Sequence, residues 1–235
     1  MDSPDYSWNA LWRVSSAGFR ANLIPGVFLW ALGLGIVLTY YFIDSSRPFF
    51  DRIIEAKKTH GYLYSFLATG FFGGLIPFLF LWASGKIKKG MVSCCGLFFV
   101  FYWAARGTEV DAFYRLQGFL FGDEPDLATI ATKVFIDQFV YCVFWAAPVT
   151  AVFYGWKDYG FSWYLFIQRT TKRSFLFEVA RLLLSTWLVW IPATAIIYSL
   201  PSALQVPLFS LTLCFFVLLV SVFSKDEVSG SAKQQ

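Results

Sequence analysis

The chain has 235 residues, 57% of them hydrophobic, 21% aromatic and only 14% charged, about half the charged share of an ordinary soluble domain. That balance argues against a soluble globular domain and for a chain solvated by lipid. The formal net charge of +4 is modest and calls for no nucleic-acid partner.

Residues 1–20 form a polar head that ends in "SSAGFRANLIPGV", where Pro25 and Gly26 open or kink the first apolar run. Six such runs follow in order: Ala21–Ile43, Tyr62–Ser84, Met91–Ala105, Val134–Gly155, Leu182–Leu200 and Val206–Phe223. Five approach or exceed the ~20 residues needed to cross ~30 Å of hydrocarbon at 1.5 Å per residue. Met91–Ala105 is short and becomes a span only by running on to about Val110, which takes Arg106 and Glu109 into its last turns. Lipid offers the backbone no hydrogen bonds, and continuous apolar runs without alternation choose helices over a barrel. The predicted fold is therefore all-α, a polytopic transmembrane helix bundle of five to six spans with short interfacial helices. Residues 21–224 make one transmembrane domain, and 225–235 read as a disordered tail.

The first run is too long for a signal-peptide core and has no small-residue cleavage pattern after it, so it reads as a retained anchor. Between the first two spans, "DSSRPFFDRIIEAKKTHG" predicts an amphipathic helix after Pro48, with Phe49, Phe50, Ile53 and Ile54 on one side and charges opposite, lying at the interface. Lys86–Gly90 is a tight turn, which makes the second and third spans antiparallel neighbours. The stretch after the third span is expected to stay helical to about Phe121, break at Gly122–Pro125 and restart with Asp126 as N-cap. "WKDYGFSWYLFIQRTTKRS" combines an aromatic belt with basic residues and predicts another interfacial helix.

With six spans, 12 of the 19 Lys and Arg residues fall on the side of the N-terminus. The positive-inside rule then places both termini on the cytoplasmic side, in the inner or plasma membrane if the chain is bacterial and in an organellar membrane otherwise.

Within the second span, Gly70 and Gly74 form a G-x-x-x-G, the spacing at which small residues let two helix backbones approach in lipid. Packing within the chain is the first reading and a homo-oligomer seam the second. The four cysteines, Cys94, Cys95, Cys142 and Cys214, sit in apolar runs as small packing residues, without zinc or disulfide spacing. The single histidine, His60, has no partner motif, and there is no H-x-x-x-H, C-x-x-C, G-x-S-x-G or phosphate loop. An enzyme, a metal site and a bound cofactor are accordingly not expected.

Ionisable residues gather where one membrane face should be: Arg106, Glu109, Asp111, Arg115, Lys133 and Asp137. Arg106 and Glu109 are three apart, Asp111 and Arg115 four apart, and Lys133 and Asp137 four apart, so each pair can share a helix face. Charges in lipid cost about 2.5–3.5 kcal/mol each on insertion scales, so such groups face a bundle interior or a wet cavity. A vestibule fits this pattern, and so does a structural ion-pair network. Asp137 stands only about 4.5 Å inside the apolar run that begins near Val134, at 1.5 Å per residue.

The order of three blocks adds a resemblance. "GTEVDAFYRL", with Gly107, Phe113, Tyr114 and Leu116, is followed by "KVFIDQ", with Lys133, Asp137 and Gln138, and then by "WIPATAIIYSLPSALQ", with Trp190, Pro192, Tyr198 and Leu200-Pro201, before Phe216 and Ser221. Over residues 62–221 this order resembles the Mpv-seventeen / twenty-two-kilodalton peroxisomal membrane protein family, as a divergent bacterial-type relative. Thr108, Asp111, Ile197 and Gln205 stand where that family has Pro, His, Asn and Arg. The resemblance implies a multi-pass membrane protein acting as a poorly selective channel for ions or small metabolites, with Asp111, Tyr114, Asp137 and Gln138 as pore positions. Together with the ionic cluster, the candidate vestibule residues are Arg106, Glu109, Asp111, Tyr114, Arg115, Lys133, Asp137 and Gln138. A non-transporting structural or assembly protein is the alternative. The partners implied are the lipid bilayer, further copies of the chain, and small solutes or ions for a channel.

Overall fold

The structure is a computed structural model that describes the backbone of residues 6–231 and side chains as far as Val220. Its order is α1 (Trp8–Phe42), α2 (Arg47–Thr69), a π-helical segment Gly70–Leu75, α3 (Ile76–Ala83), α4 (Val92–Phe121), α5 (Leu127–Phe135), a second π-helical segment Ile136–Ala146, α6 (Ala147–Asp158), α7 (Trp163–Arg169), α8 (Lys172–Tyr198) and α9 (Ser202–Ser231). Among the described residues there is no strand. Six continuous helical stretches, of 19 to 40 residues, are long and apolar enough to cross a membrane. The protein is a multi-pass integral membrane protein built as a helix bundle.

Several expected boundaries move. Ser7 caps α1, accepting from the Ala10 N–H at 3.2 Å, and the helix runs unbroken past Pro25 to Phe42, so residues 8–20 of the expected head are helical and continuous with the first span; residues 1–5 lie outside the described residues. Pro25 therefore does not open the span but lies inside it. α1 packs most extensively on α8. The small residues Gly18, Gly26 and Gly33 face Ser185, Val189 and Ile196 there. Two side chains bond across the seam to the α8 backbone: Asn22 Nδ2 donates to the Ser185 carbonyl at 2.9 Å and Trp30 Nε1 to the Val189 carbonyl at 3.0 Å. Each bond uses a carbonyl already inside a helix, where lipid would supply no competitor.

The helix expected after Pro48 is present but is continuous with the second span, joined through Gly61 at φ +52°, ψ −122°. A positive φ of this kind strains any residue with a Cβ, which is why the bend falls on a glycine. Gly70 and Gly74 turn toward α4, where a Cβ on Gly74 would lie 2.6 Å from the Phe99 carbonyl oxygen. On α4, a Cβ on Gly107 would collide with Thr69 and with the Ser65 carbonyl. These two glycines let the backbones meet, and side-chain packing then replaces lipid along the seam.

Both π-helical segments stop two residues before a proline, Pro77 and Pro148. Proline brings no N–H and its ring collides with the carbonyl four residues earlier. At these two prolines the preceding turn is widened, and bonds such as Ile76 N–H to Phe71 O and Ala147 N–H to Cys142 O, five residues back, keep the flanking backbone satisfied. The second segment spans 11 residues, so it shifts the facing of every side chain from Asp137 to Trp145.

α4 is one helix to Phe121, ended by Gly122 at φ +85°. Asp126 then caps α5, accepting from the Ala128 and Thr129 N–H groups. The aromatic segment after α6 forms the short helix α7, with Trp163 stacked on Trp156 at 5.1 Å. α9 is helical through Ser231, so the backbone of residues 225–231 continues the last helix. The remainder of the expected tail, residues 232–235, and the side chain of Ser221 lie outside what is described.

Candidate functional site

Three polar groupings lie inside the bundle, and the predicted vestibule residues are divided among them. The first joins the second span to α4. Lys57 Nζ donates to Asp111 Oδ2 at 2.6 Å, to Ser65 Oγ at 2.8 Å and to the Gly61 carbonyl at 3.1 Å, which uses all three ammonium protons. Ser65 Oγ donates to the same carboxylate oxygen at 2.9 Å, and Arg115 Nε donates to Asp111 Oδ1 at 3.0 Å. The Arg115 guanidinium also lies 4.7 Å from the Tyr62 ring centroid. Lys57 and Asp111 are each 3% exposed. The helix break at Gly61 frees a carbonyl, and the ammonium caps it. Sequence placed Lys57 on the charged face of an interfacial helix; the bend rotates it inward, and only a contact across the bundle reveals its role.

The second grouping is Arg106, Glu109, Tyr141 and Trp145. Arg106 Nη1 contacts both Glu109 oxygens at 2.6 Å, Trp145 Nε1 donates to Glu109 Oε1 at 2.8 Å, and the Tyr141 hydroxyl donates to the same oxygen. The pair expected from three-residue spacing on α4 is thus closed on itself, with the Glu109 side chain 30% exposed.

The third surrounds Asp137. Tyr198 Oη donates to Asp137 Oδ2 at 2.6 Å, Gln138 Nε2 donates to Oδ1 at 3.0 Å, and the Cys142 thiol donates to Oδ1 at 3.5 Å. Gln117 Nε2 in turn donates to Tyr198 Oη at 2.6 Å, which orients the phenol toward the carboxylate. In a π-helical stretch, residues five apart stand over one another, and this brings Cys142 above Asp137. Asp137 is 4% exposed. The expected Lys133–Asp137 pair is not formed. Lys133 Nζ instead donates to Asp123 Oδ1 at 2.9 Å, in the loop after Gly122, and lies 5.8 Å from the Tyr198 ring centroid. The phase change that starts at Ile136 removes the four-residue alignment on which that pair depended. Among the described residues no lysine or arginine pairs with Asp137.

A cavity of about 300 Å³ opens beside this carboxylate, between α4, the second π-helical segment with α6, α8 and α9. Asp137, Gln138, Arg106 and Tyr114 stand on its wall, with Trp103, Tyr141, Trp187 and Trp190 supplying much of the remainder. Trp187 Nε1 donates to the Gln138 carbonyl at 3.3 Å and Trp103 Nε1 to Tyr154 Oη at 3.2 Å, so these indoles have their N–H groups occupied. Thr150, Thr186 and Thr194 also line it, each bonded to a carbonyl of its own helix. Asp111, Arg115 and Lys133 are not on this wall. The eight predicted residues are therefore not one vestibule, because α4 presents Arg106 and Tyr114 to the cavity but Asp111 and Arg115 to the second span.

Reasoning from sequence missed Lys57, Ser65, Gln117 and Tyr141. Tyr198 carried a signal, since it belongs to the third motif block. No group of three or more His, Cys, Asp or Glu residues that could hold a metal occurs among the described residues. No family model, no curated protein and no solved structure matches the chain.

Proposed function

We propose that the protein is channel-like and takes a small solute or ion into the cavity bordered by Asp137, Gln138 and Arg106. The observation that carries this reading is a cavity of about 300 Å³ whose wall holds a buried carboxylate with no ion-pair partner among the described residues. A purely structural bundle gains from neither feature. An unfilled volume forfeits packing contacts, and an unpaired buried charge costs desolvation that no partner returns. The motif order that resembles the Mpv-seventeen / twenty-two-kilodalton peroxisomal membrane protein family favours the same reading, since Tyr114, Asp137, Gln138 and Tyr198 all belong to it. The proposed role is non-catalytic.

The second reading, a structural or assembly protein, is favoured by the Lys57–Asp111–Arg115 grouping, in which the buried carboxylate is met by two cations of the chain itself. Liposomes containing the purified full chain distinguish the two, with solute efflux and conductance as readouts. The expected result is flux above that of protein-free liposomes, falling about tenfold or more in Asp137→Asn while the thermal unfolding temperature changes little. Wild-type flux equal to the protein-free background would leave the structural reading standing.

A further inference from the structure

We infer that the cavity beside Asp137 is a binding site for a small organic cation, an ammonium carrying an aromatic or aliphatic group, held by the carboxylate and by the aromatic walls. The inference rests on the reading of this cavity as a solute site and names the chemical class of its occupant.

Charge comes first. Among the described residues Arg106 is the one cation on the wall, and both oxygens of Glu109 neutralise it at 2.6 Å. Among the described residues Asp137 receives only neutral donors: the Tyr198 hydroxyl, the Gln138 amide and the Cys142 thiol. Each of these three donors is neutral, so none of them brings a positive charge to the carboxyl group. Lys133, the nearest basic residue in sequence, is committed to Asp123. Among the described residues the wall thus carries a buried carboxyl group that no cation compensates, and a cation from outside the chain would complete it.

The walls then decide which kind of cation. A dehydrated metal ion needs several oxygen ligands, carboxylates and carbonyls above all, and among the described residues this wall offers one carboxylate. It is lined instead by aromatic side chains, among them Trp187, which rests on Phe139 at 5.1 Å, and Trp190, which packs with Phe209 and Phe216 at 5.8 Å. Ring faces attract ammonium groups and bury the hydrocarbon attached to them. An inorganic anion or a carboxylate ligand would meet Asp137 directly and gain nothing from Arg106, which Glu109 already holds. At about 30 Å³ per water, the volume admits at least about ten non-hydrogen atoms.

The test uses the full chain in nanodiscs of zwitterionic lipid and three probes of equal shape: phenethylammonium, neutral 2-phenylethanol and anionic phenylacetate. Phenethylammonium should bind at least about tenfold more tightly than either of the others, and should raise the thermal unfolding temperature where they do not. Asp137→Asn should abolish that preference and Asp137→Glu restore part of it. If Asp137→Asn does not give a monodisperse, cooperatively unfolding protein, Trp190→Leu serves in its place and should weaken phenethylammonium binding several-fold more than it weakens binding of 2-phenylethanol; equal weakening of the two overturns the inference. Equal binding of the three probes, tighter binding of phenylacetate, or a preference unchanged in Asp137→Asn overturns the inference. The outcomes separate from those of the flux experiment. Flux that depends on Asp137 with no preference for the cation removes this inference and leaves the channel-like reading, whereas selective cation binding without flux removes the channel-like reading and leaves the binding site.

Discussion

Asp111 and Asp137 are carboxylates on neighbouring helical stretches, buried to nearly the same degree at 3% and 4% exposure. Asp111 touches two cations and a hydroxyl, Lys57 at 2.6 Å, Arg115 at 3.0 Å and Ser65 at 2.9 Å. Asp137 touches no cation among the described residues and borders open volume. Burial alone therefore does not tell a structural carboxylate from a functional one. What separates them is whether the chain itself supplies the compensating charge. The first grouping is closed, and changing it should cost stability; the second is open on one side, and changing it should cost binding.

The largest expected effect tests the closed grouping. Asp111→Ala leaves Lys57 charged and buried without its carboxylate, and should lower unfolding free energy by about 3–5 kcal/mol, read by equilibrium unfolding in detergent. The double variant Lys57→Met with Asp111→Leu should recover most of that loss, because paired removal leaves no orphaned charge. A small effect of Asp111→Ala would show that water reaches the site and would dissolve the contrast with Asp137.

Next comes the seam that holds the closed grouping in place. Gly107→Val pushes a side chain into Thr69 and the Ser65 carbonyl, and should destabilise by at least about 1–3 kcal/mol. The same substitution at Gly35, which meets nothing within 4 Å, is the control and should change the unfolding temperature little.

Asp137→Asn comes third in its effect on stability. No ion pair is lost and an amide oxygen still accepts from Tyr198, so the change should stay within about 1 kcal/mol while flux in liposomes drops. A loss as large as that of Asp111→Ala would make the two carboxylates equivalent.

The smallest effect lies outside the bundle interior, at the cap of α5. Hydrogen bonds from the Thr129 hydroxyl and backbone, and from the Ala128 N–H, hold the exposed Asp126 carboxyl below the ordinary carboxylate range. A carboxyl depressed in the folded state contributes stability that is fully present above its unfolded value of about 3.9. That contribution fades as pH falls through the folded value. Asp126→Ala should therefore lower the unfolding temperature slightly at neutral pH, and the difference from wild type should vanish in strong acid.

Much of this architecture was legible in the sequence because it depends on local chemistry. The apolar runs, the break after Phe121, the cap at Asp126, the turn after Ala83 and the short aromatic helix each follow from residues within a few positions of one another. The i,i+3 and i,i+4 pairs on α4 were legible for the same reason, since α4 is regular from Val92 to Phe121. Lys133 and Asp137 have the same spacing as Asp111 and Arg115 but do not pair, because their helix changes pitch between them. Pro148 was visible in the sequence, yet it does not say how far back the widened turn extends. Lys57 reads as a surface residue until the bend at Gly61 turns it toward α4.

The sequence by itself determined that this chain lives in lipid, crosses it as five to six helices and carries more charge than a passive anchor needs, because hydrocarbon thickness and backbone hydrogen bonding leave few alternatives. Only the tertiary structure decided which of those charges are spent on one another. Pairing in the interior depends on the rotation of helices that lie tens of residues apart, and that rotation is set by glycine seams, a bend at Gly61 and two proline-widened turns acting together. Asp111 was closed by that geometry and Asp137 was left open to the cavity.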